Sequence, residues 1–168
     1  MAKLFFVYLM IVLLGCREKD KMSYLTGKEG KQLPSFEILL ADSTTYFNTG
    51  NLQKNKKIIL FYYSPTCPYC RAQTRDMLRN IELFKDGQLC MLTNGDFKEM
   101  KDFITYFQLE KYPSIILGLD TGRSVIRNYH LDGVPFTAVF DKDHRLQGAY
   151  LGIISHKKLF NAMNIKKY

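Results

Sequence analysis

At 168 residues, with 46% hydrophobic and 14% aromatic residues, the chain can bury the core of one ordinary domain, so its four cysteines do not compensate for a missing core. The formal net charge is +8, from 24 Lys and Arg against 16 Asp and Glu, but the basic residues are scattered through KNKK, HKK and KK without an arginine-rich stripe. This predicts a basic, solvated surface and leaves a nucleic-acid partner with no motif behind it.

The N-terminus, MAKLFFVYLMIVLLGCREKDK, runs apolar from Leu4 to Leu14. Such a run falls short of the roughly 20 residues that span a bilayer and fits a secretory signal over residues 1–15. Its end, Leu13-Leu14-Gly15-Cys16, resembles the bacterial lipobox, with Leu14 bulkier than the usual occupant. That resemblance implies a lipid on the Cys16 thiol, membrane attachment through it, and a location in the bacterial cell envelope facing the periplasm. Residues 16–31, rich in charge, then read as a polar tether, and residues 32–168 as the folded domain.

Along that domain, strand and helix signals alternate. LPSFEILLADSTTYFN has near-alternating hydrophobicity about an Ala-Asp-Ser turn, a β-hairpin pattern. KKIILFYYS is a buried strand, its apolar run too short for a helix and rich in β-branched and aromatic residues. In PYCRAQTRDMLRNIELF, Met77, Leu78, Ile81 and Phe84 recur at helical spacing, with Pro68 suited to the first helical position. GQLCMLTNGD is a second strand. A core-facing stripe of Phe97, Met100, Phe103, Ile104 and Phe107 marks a second helix. A strand in PSIILGLD, a short helix in GRSVIRNYHL, strands in GVPFTAVFD and RLQGAYLGI, and a helix capped by Ser155 complete the chain. Strands alternating with helices, closed by a strand pair and a helix, predict an α/β fold around a mixed central sheet.

Cys67 and Cys70 stand where the first buried strand gives way to the first helix. A structural zinc site needs four ligands, and the other candidates, Cys90 and three scattered histidines, form no second pair at metal spacing, so no metal is expected. A c-type haem tether wants histidine directly after the second cysteine, where Arg71 stands. A purely structural bridge closing so small a loop would constrain the unfolded chain very little. Redox chemistry suits the spacing, and it needs no added cofactor. With Cys67 as N-cap and Pro68 as first helical residue, the Cys67 thiol faces unpaired backbone N–H groups and the positive end of the helix dipole, which favour a thiolate nucleophile. Cys70, one turn in and more buried, is the resolving thiol. Pro68 and Tyr69 set the turn and face the substrate, while Arg71 and Arg75 add positive potential from helix faces that spacing alone does not orient.

The stretch from about Leu33 to Ile165 resembles the thioredoxin superfamily, and within it the TlpA-like envelope thiol-disulfide oxidoreductases. The strand-CPYC-helix arrangement carries one part of the match and GVPFTAVFD the other. The resemblance implies a cis proline at Val134-Pro135 opposite the cysteines, with the Val134 backbone able to pair with an extended substrate segment. SIILGLDTGRSVIRNY resembles the strand-helix insertion of the TlpA-like branch, so the implied fold is thioredoxin-like with an N-terminal β-hairpin and a βα insertion before the cis proline. Implied partners are protein thiols and disulfides of the envelope and an upstream thiol electron donor. A peroxidase of this superfamily would want threonine three residues before its cysteine and a proline further upstream, where Ser64 and Leu60 stand.

Three positions depart from the family pattern. Thr66 stands where Trp commonly precedes the first cysteine, Phe61 where thioredoxins carry a buried aspartate, and Gln73 where several TlpA-like proteins carry glutamate. No proton acceptor for Cys70 is therefore evident. Two functions stay open on this reading: an oxidoreductase working through Cys67 and Cys70, and a lipid-anchored peptide-binding module that uses the groove beside Pro135 without turnover.

Overall fold

The computed structural model describes residues 23–164. The expected signal segment, Cys16 and the charged stretch that follows it to residue 22 lie outside the described residues, as does the end of the chain from residue 165.

Three strands, β3 (Lys57–Tyr62), β4 (Gly87–Thr93) and β5 (Ile115–Leu119), run parallel at the centre of one sheet. On the β3 side come β6 (Phe136–Phe140) and β7 (Leu146–Leu151), both antiparallel to their neighbours. On the β5 side comes the hairpin of β1 (Glu37–Leu40) and β2 (Tyr46–Asn48), with β1 antiparallel to β5. The sheet order is β2-β1-β5-β4-β3-β6-β7. Helix α1 (Pro68–Arg79) links β3 to β4, α2 (Phe97–Phe107) links β4 to β5, α3 (Ser124–Tyr129) links β5 to β6, and α4 (His156–Met163) follows β7.

The central strands read as unbroken apolar runs because both of their faces are covered. Ile59, Phe61 and Tyr63 face one core together with Met77 of α1, Met100 and Phe103 of α2 and Leu159 of α4. Ile58, Leu60 and Tyr62 face the other, with Val125 and Tyr129 of α3. Cys90 points into this second core and is fully buried. The apolar stripe expected in α2 is present: Met100, Phe103 and Ile104 are buried, and Phe97 and Phe107 pack at its margin. The helix stretch expected after Pro68 breaks at Asn80, whose N–H bonds back to Met77, and resumes as a short 3-10 turn over Ile81–Phe84 that still buries Phe84.

The segment from Tyr24 to Lys31, read from its polarity as the end of a tether, packs along the domain. The Tyr24 backbone N–H bonds to Ala149 O at 2.7 Å, Gly30 N–H to Leu146 O at 2.9 Å, and the Tyr24 ring sits edge-on to Phe136. A single aromatic anchor and β-type bonds to β7 outweigh the solubility of the charged residues between them, which stay exposed. Among the described residues no helix is long and apolar enough to cross a membrane.

Candidate active site

Strand β3 ends at Tyr62, and the chain turns through Ser64-Pro65-Thr66 into α1. Cys67 is the N-cap of that helix with extended backbone, and Pro68 takes the first helical position, where its missing N–H costs nothing. The Cys67 sulfur accepts the Cys70 N–H at 3.4 Å, the bond a capping side chain makes to the third residue of a helix. The Cys67 N–H in turn bonds to Ser64 O at 3.2 Å, closing the turn. Cys67 is half-buried, whereas Cys70 is fully buried. Both are thiols here, as is Cys90.

The two environments separate the two sulfurs. Burial pushes the Cys70 thiol up to about 12, with the neighbouring Cys67 sulfur adding to the rise and the Ser64 backbone amide opposing it. Cys90, sealed in the other core, is pushed up to about 12 by burial alone. A thiol held protonated in this way cannot start an exchange, but it can finish one once a mixed disulfide forms beside it.

The Val134–Pro135 peptide bond is cis. Because Tyr62 of β3 pairs with Phe136 of β6, the residues leaving β3 and those entering β6 emerge at the same end of the sheet. Val134 and Cys67 both pack on the margin of one core. Beside Val134 opens a cleft of about 230 Å³ lined by Tyr62, Asn94, Leu131 and Asp132. Tyr69, between the cysteines in sequence, exposes 64% of its surface. The structure thus gathers Cys67, Cys70, Pro68, Tyr69, Val134 and Pro135 around one end of the sheet. Cys16 lies outside the described residues, and among those described no group of three or more His, Cys, Asp or Glu side chains comes together as metal ligands.

The departures noted in the sequence have defined places. Phe61 is fully buried and stacks on Tyr63, ring centroids 5.8 Å apart. Gln73 is also fully buried: its side-chain oxygen accepts the Ile154 N–H at 2.8 Å, so it ties α1 to the loop after β7 and offers no carboxylate to Cys70. Tyr63, read from the sequence as packing alone, has a buried hydroxyl without a hydrogen-bond partner. Its pKa is raised by burial, and it shares one buried cluster with Cys70. Arg71 turns inward over the aromatic rings of α2, while Arg75 is exposed, 5.9 Å from the Phe107 ring. The place of Tyr63 four residues before the first cysteine of the CPYC pair is the signal in the sequence that could have marked it.

Residues 28–163 match the Redoxin family. The chain belongs to that family. Among solved structures it is similar to StoA from Bacillus subtilis, at 15% identity and a TM-score of 0.60, over 77% of this chain and 96% of that one. A secreted Mycobacterium tuberculosis disulfide oxidoreductase gives 15% identity and a TM-score of 0.63, over 76% and 92%. The exposed lipoprotein thioredoxin of Streptococcus pneumoniae gives 18% and 0.59, over 76% and 96%. At these identities the likeness is one of fold: this is a thioredoxin-like domain. No curated protein matches the chain.

Proposed function

We propose that the protein is a thiol-disulfide oxidoreductase that exchanges disulfides with proteins of the cell envelope through Cys67 and Cys70. The observation that carries this reading is the contrast within the pair: Cys67 caps a helix and is half-buried, and Cys70 lies one turn inside, fully buried, where burial raises its pKa. The Cys67 thiolate attacks one sulfur of a substrate disulfide, forming a mixed disulfide and releasing the other sulfur as a thiolate. Cys70 then attacks the Cys67 sulfur and passes its proton to the departing substrate sulfur, which leaves a Cys67–Cys70 disulfide and, once the thiolate released first has taken a proton from water, a substrate dithiol. An upstream dithiol donor restores the reduced pair by the reverse sequence, and its own sulfurs become the disulfide. The Val134 backbone and Pro135, with Pro68 and Tyr69, hold an extended segment of the substrate across Cys67.

The reading extends to location. A signal over residues 1–15, a lipid on Cys16 and a short tether before Tyr24 would hold the domain at a membrane, in the manner of the TlpA-like oxidoreductases it resembles. A likeness in fold to a secreted oxidoreductase and an exposed lipoprotein supports the envelope part of it. A Cys16→Ala variant is expected to lose labelled fatty acid and leave the membrane fraction; retention of both would remove the anchor.

The alternative is a peptide-binding module on the same fold, favoured by the absence of a carboxylate at Phe61 and Gln73. Turnover decides between them. The purified protein, supplied with a dithiol, is expected to reduce a model protein disulfide in repeated cycles, and a Cys67→Ala variant to do so no faster than the dithiol alone. Equal rates for both would leave only the binding module.

A further inference from the structure

Resting on the disulfide-exchange reading, we propose that Arg71 is a positioning residue for Cys67: its guanidinium, carried on the Tyr106 ring, holds the Pro65 carbonyl and so fixes the turn that presents the nucleophile. The turn needs such a brace. Thr66, Pro68 and Tyr69 are exposed and Cys67 is only half-buried, so beyond Pro65 little core packing holds it. The Arg71 side chain holds it through Nη1, which donates to Pro65 O at 3.1 Å, while the backbone N–H of the same residue makes the ordinary helical bond to Cys67 O at 3.0 Å.

The guanidinium is itself held from α2. Its central carbon lies 4.2 Å from the centre of the Tyr106 ring, and 5.4 Å and 5.8 Å from those of Phe107 and Phe103. Glu99 and Asp102 line the same cleft, of about 250 Å³, but neither forms an ion pair with Arg71; Asp102 pairs with Lys98 at 2.8 Å. A planar group that stacks and donates in its own plane does this work, and a lysine ammonium does not reproduce it. The turn also meets Gly95, where an added Cβ would lie 3.3 Å from the Pro65 ring, so the loop entering α2 closes tightly on Pro65. Arg71 thereby makes the placement of Cys67 depend on α2, a helix that contributes no cysteine.

The test compares Arg71→Met, Arg71→Lys and Tyr106→Leu in the purified, reduced protein, reading the Cys67 alkylation rate against pH and the equilibrium of the pair with glutathione. Arg71→Met is expected to slow alkylation at neutral pH by about fivefold, the equivalent of one lost hydrogen bond, and to displace the equilibrium. Arg71→Lys, which keeps the charge, is expected to recover less than half of that loss. Tyr106→Leu, at a ring 61% exposed and so without a core to collapse, is expected to shift both readouts in the same direction by less. Full recovery in Arg71→Lys would assign the effect to charge and overturn positioning, and an unchanged pH profile in Arg71→Met would leave Arg71 no role. Either result in a parent that turns over removes only this inference, whereas a parent that exchanges no disulfide removes the function beneath it.

Discussion

The Cys67 sulfur accepts the backbone N–H of Cys70 at 3.4 Å, while the Cys70 sulfur, one helical turn on, has no exposure to solvent. One short stretch of backbone thus produces two thiols of opposite character, an accessible one at the helix end and a sealed one beneath it. The order of reaction proposed for them rests on that placement.

In the reduced, folded protein near neutral pH, a small alkylating agent should modify Cys67 well before Cys70 and Cys90, both of which are fully buried and pushed up to about 12. Peptide mass mapping of a time course measures this directly. Equal rates at the three sites would contradict the proposed geometry.

Gln73 is the second quantity to test. Its side-chain oxygen is the partner of the buried Ile154 N–H, so Gln73→Leu should orphan that donor and lower stability by about 1–3 kcal/mol in urea unfolding. A neutral substitution would show that the link between α1 and the loop after β7 is dispensable.

Alkaline stability depends on the buried thiols, and the sign is fixed. The unfolded chain releases their protons near the ordinary 9.0, whereas the folded protein keeps them up to about 12. The folded state then binds more protons, so the stabilising contribution is complete below about pH 9 and is lost as pH rises through that window. Cys90→Ala removes one such group and should flatten the decline, by up to ~1.4 kcal/mol per pH unit, in denaturation series on the reduced protein. Identical slopes would mean that Cys90 is less sealed than its burial indicates.

Helix α2 carries the Tyr106 and Phe103 rings, and its start is capped by Asp96, whose Oδ1 accepts the N–H groups of Lys98 and Glu99 at 2.8 and 3.1 Å. Asp96→Ala should cost about 0.5–2 kcal/mol by thermal or urea unfolding. If Arg71 is braced from α2, the same variant should also slow Cys67 alkylation slightly; a change in stability with no change at Cys67 would separate the helix from the site.

Much of this was legible because the signals were local. Ile58 to Tyr62 read as a buried strand from their side chains alone, and Cys67-Pro68 and Ser155 read as helix starts because a cap and its helix are contiguous. What stayed hidden depends on residues far apart in the chain. The partner of Gln73 lies 81 positions away, and the rings that hold Arg71 lie on another helix, so no spacing rule could aim either side chain. Tyr24 sits in a polar stretch that looks like a linker, and distant contacts tie it down: bonds to Ala149 and the His130 carbonyl, and its ring edge-on to Phe136. The orphan hydroxyl of Tyr63 was invisible for the same reason: burial can be read from a pattern, but a missing partner cannot.

The most direct test of disulfide exchange is to strand its intermediate. With the resolving thiol removed, Cys67 can still attack a substrate disulfide but nothing releases the product, so Cys70→Ala should accumulate reducible, higher-mass species in envelope extracts. These should vanish in the Cys67→Ala, Cys70→Ala double variant and diminish when Pro135 is replaced. If Cys70→Ala captures no more covalent partner than the double variant does, the pair does not exchange disulfides with proteins, and the oxidoreductase account is wrong.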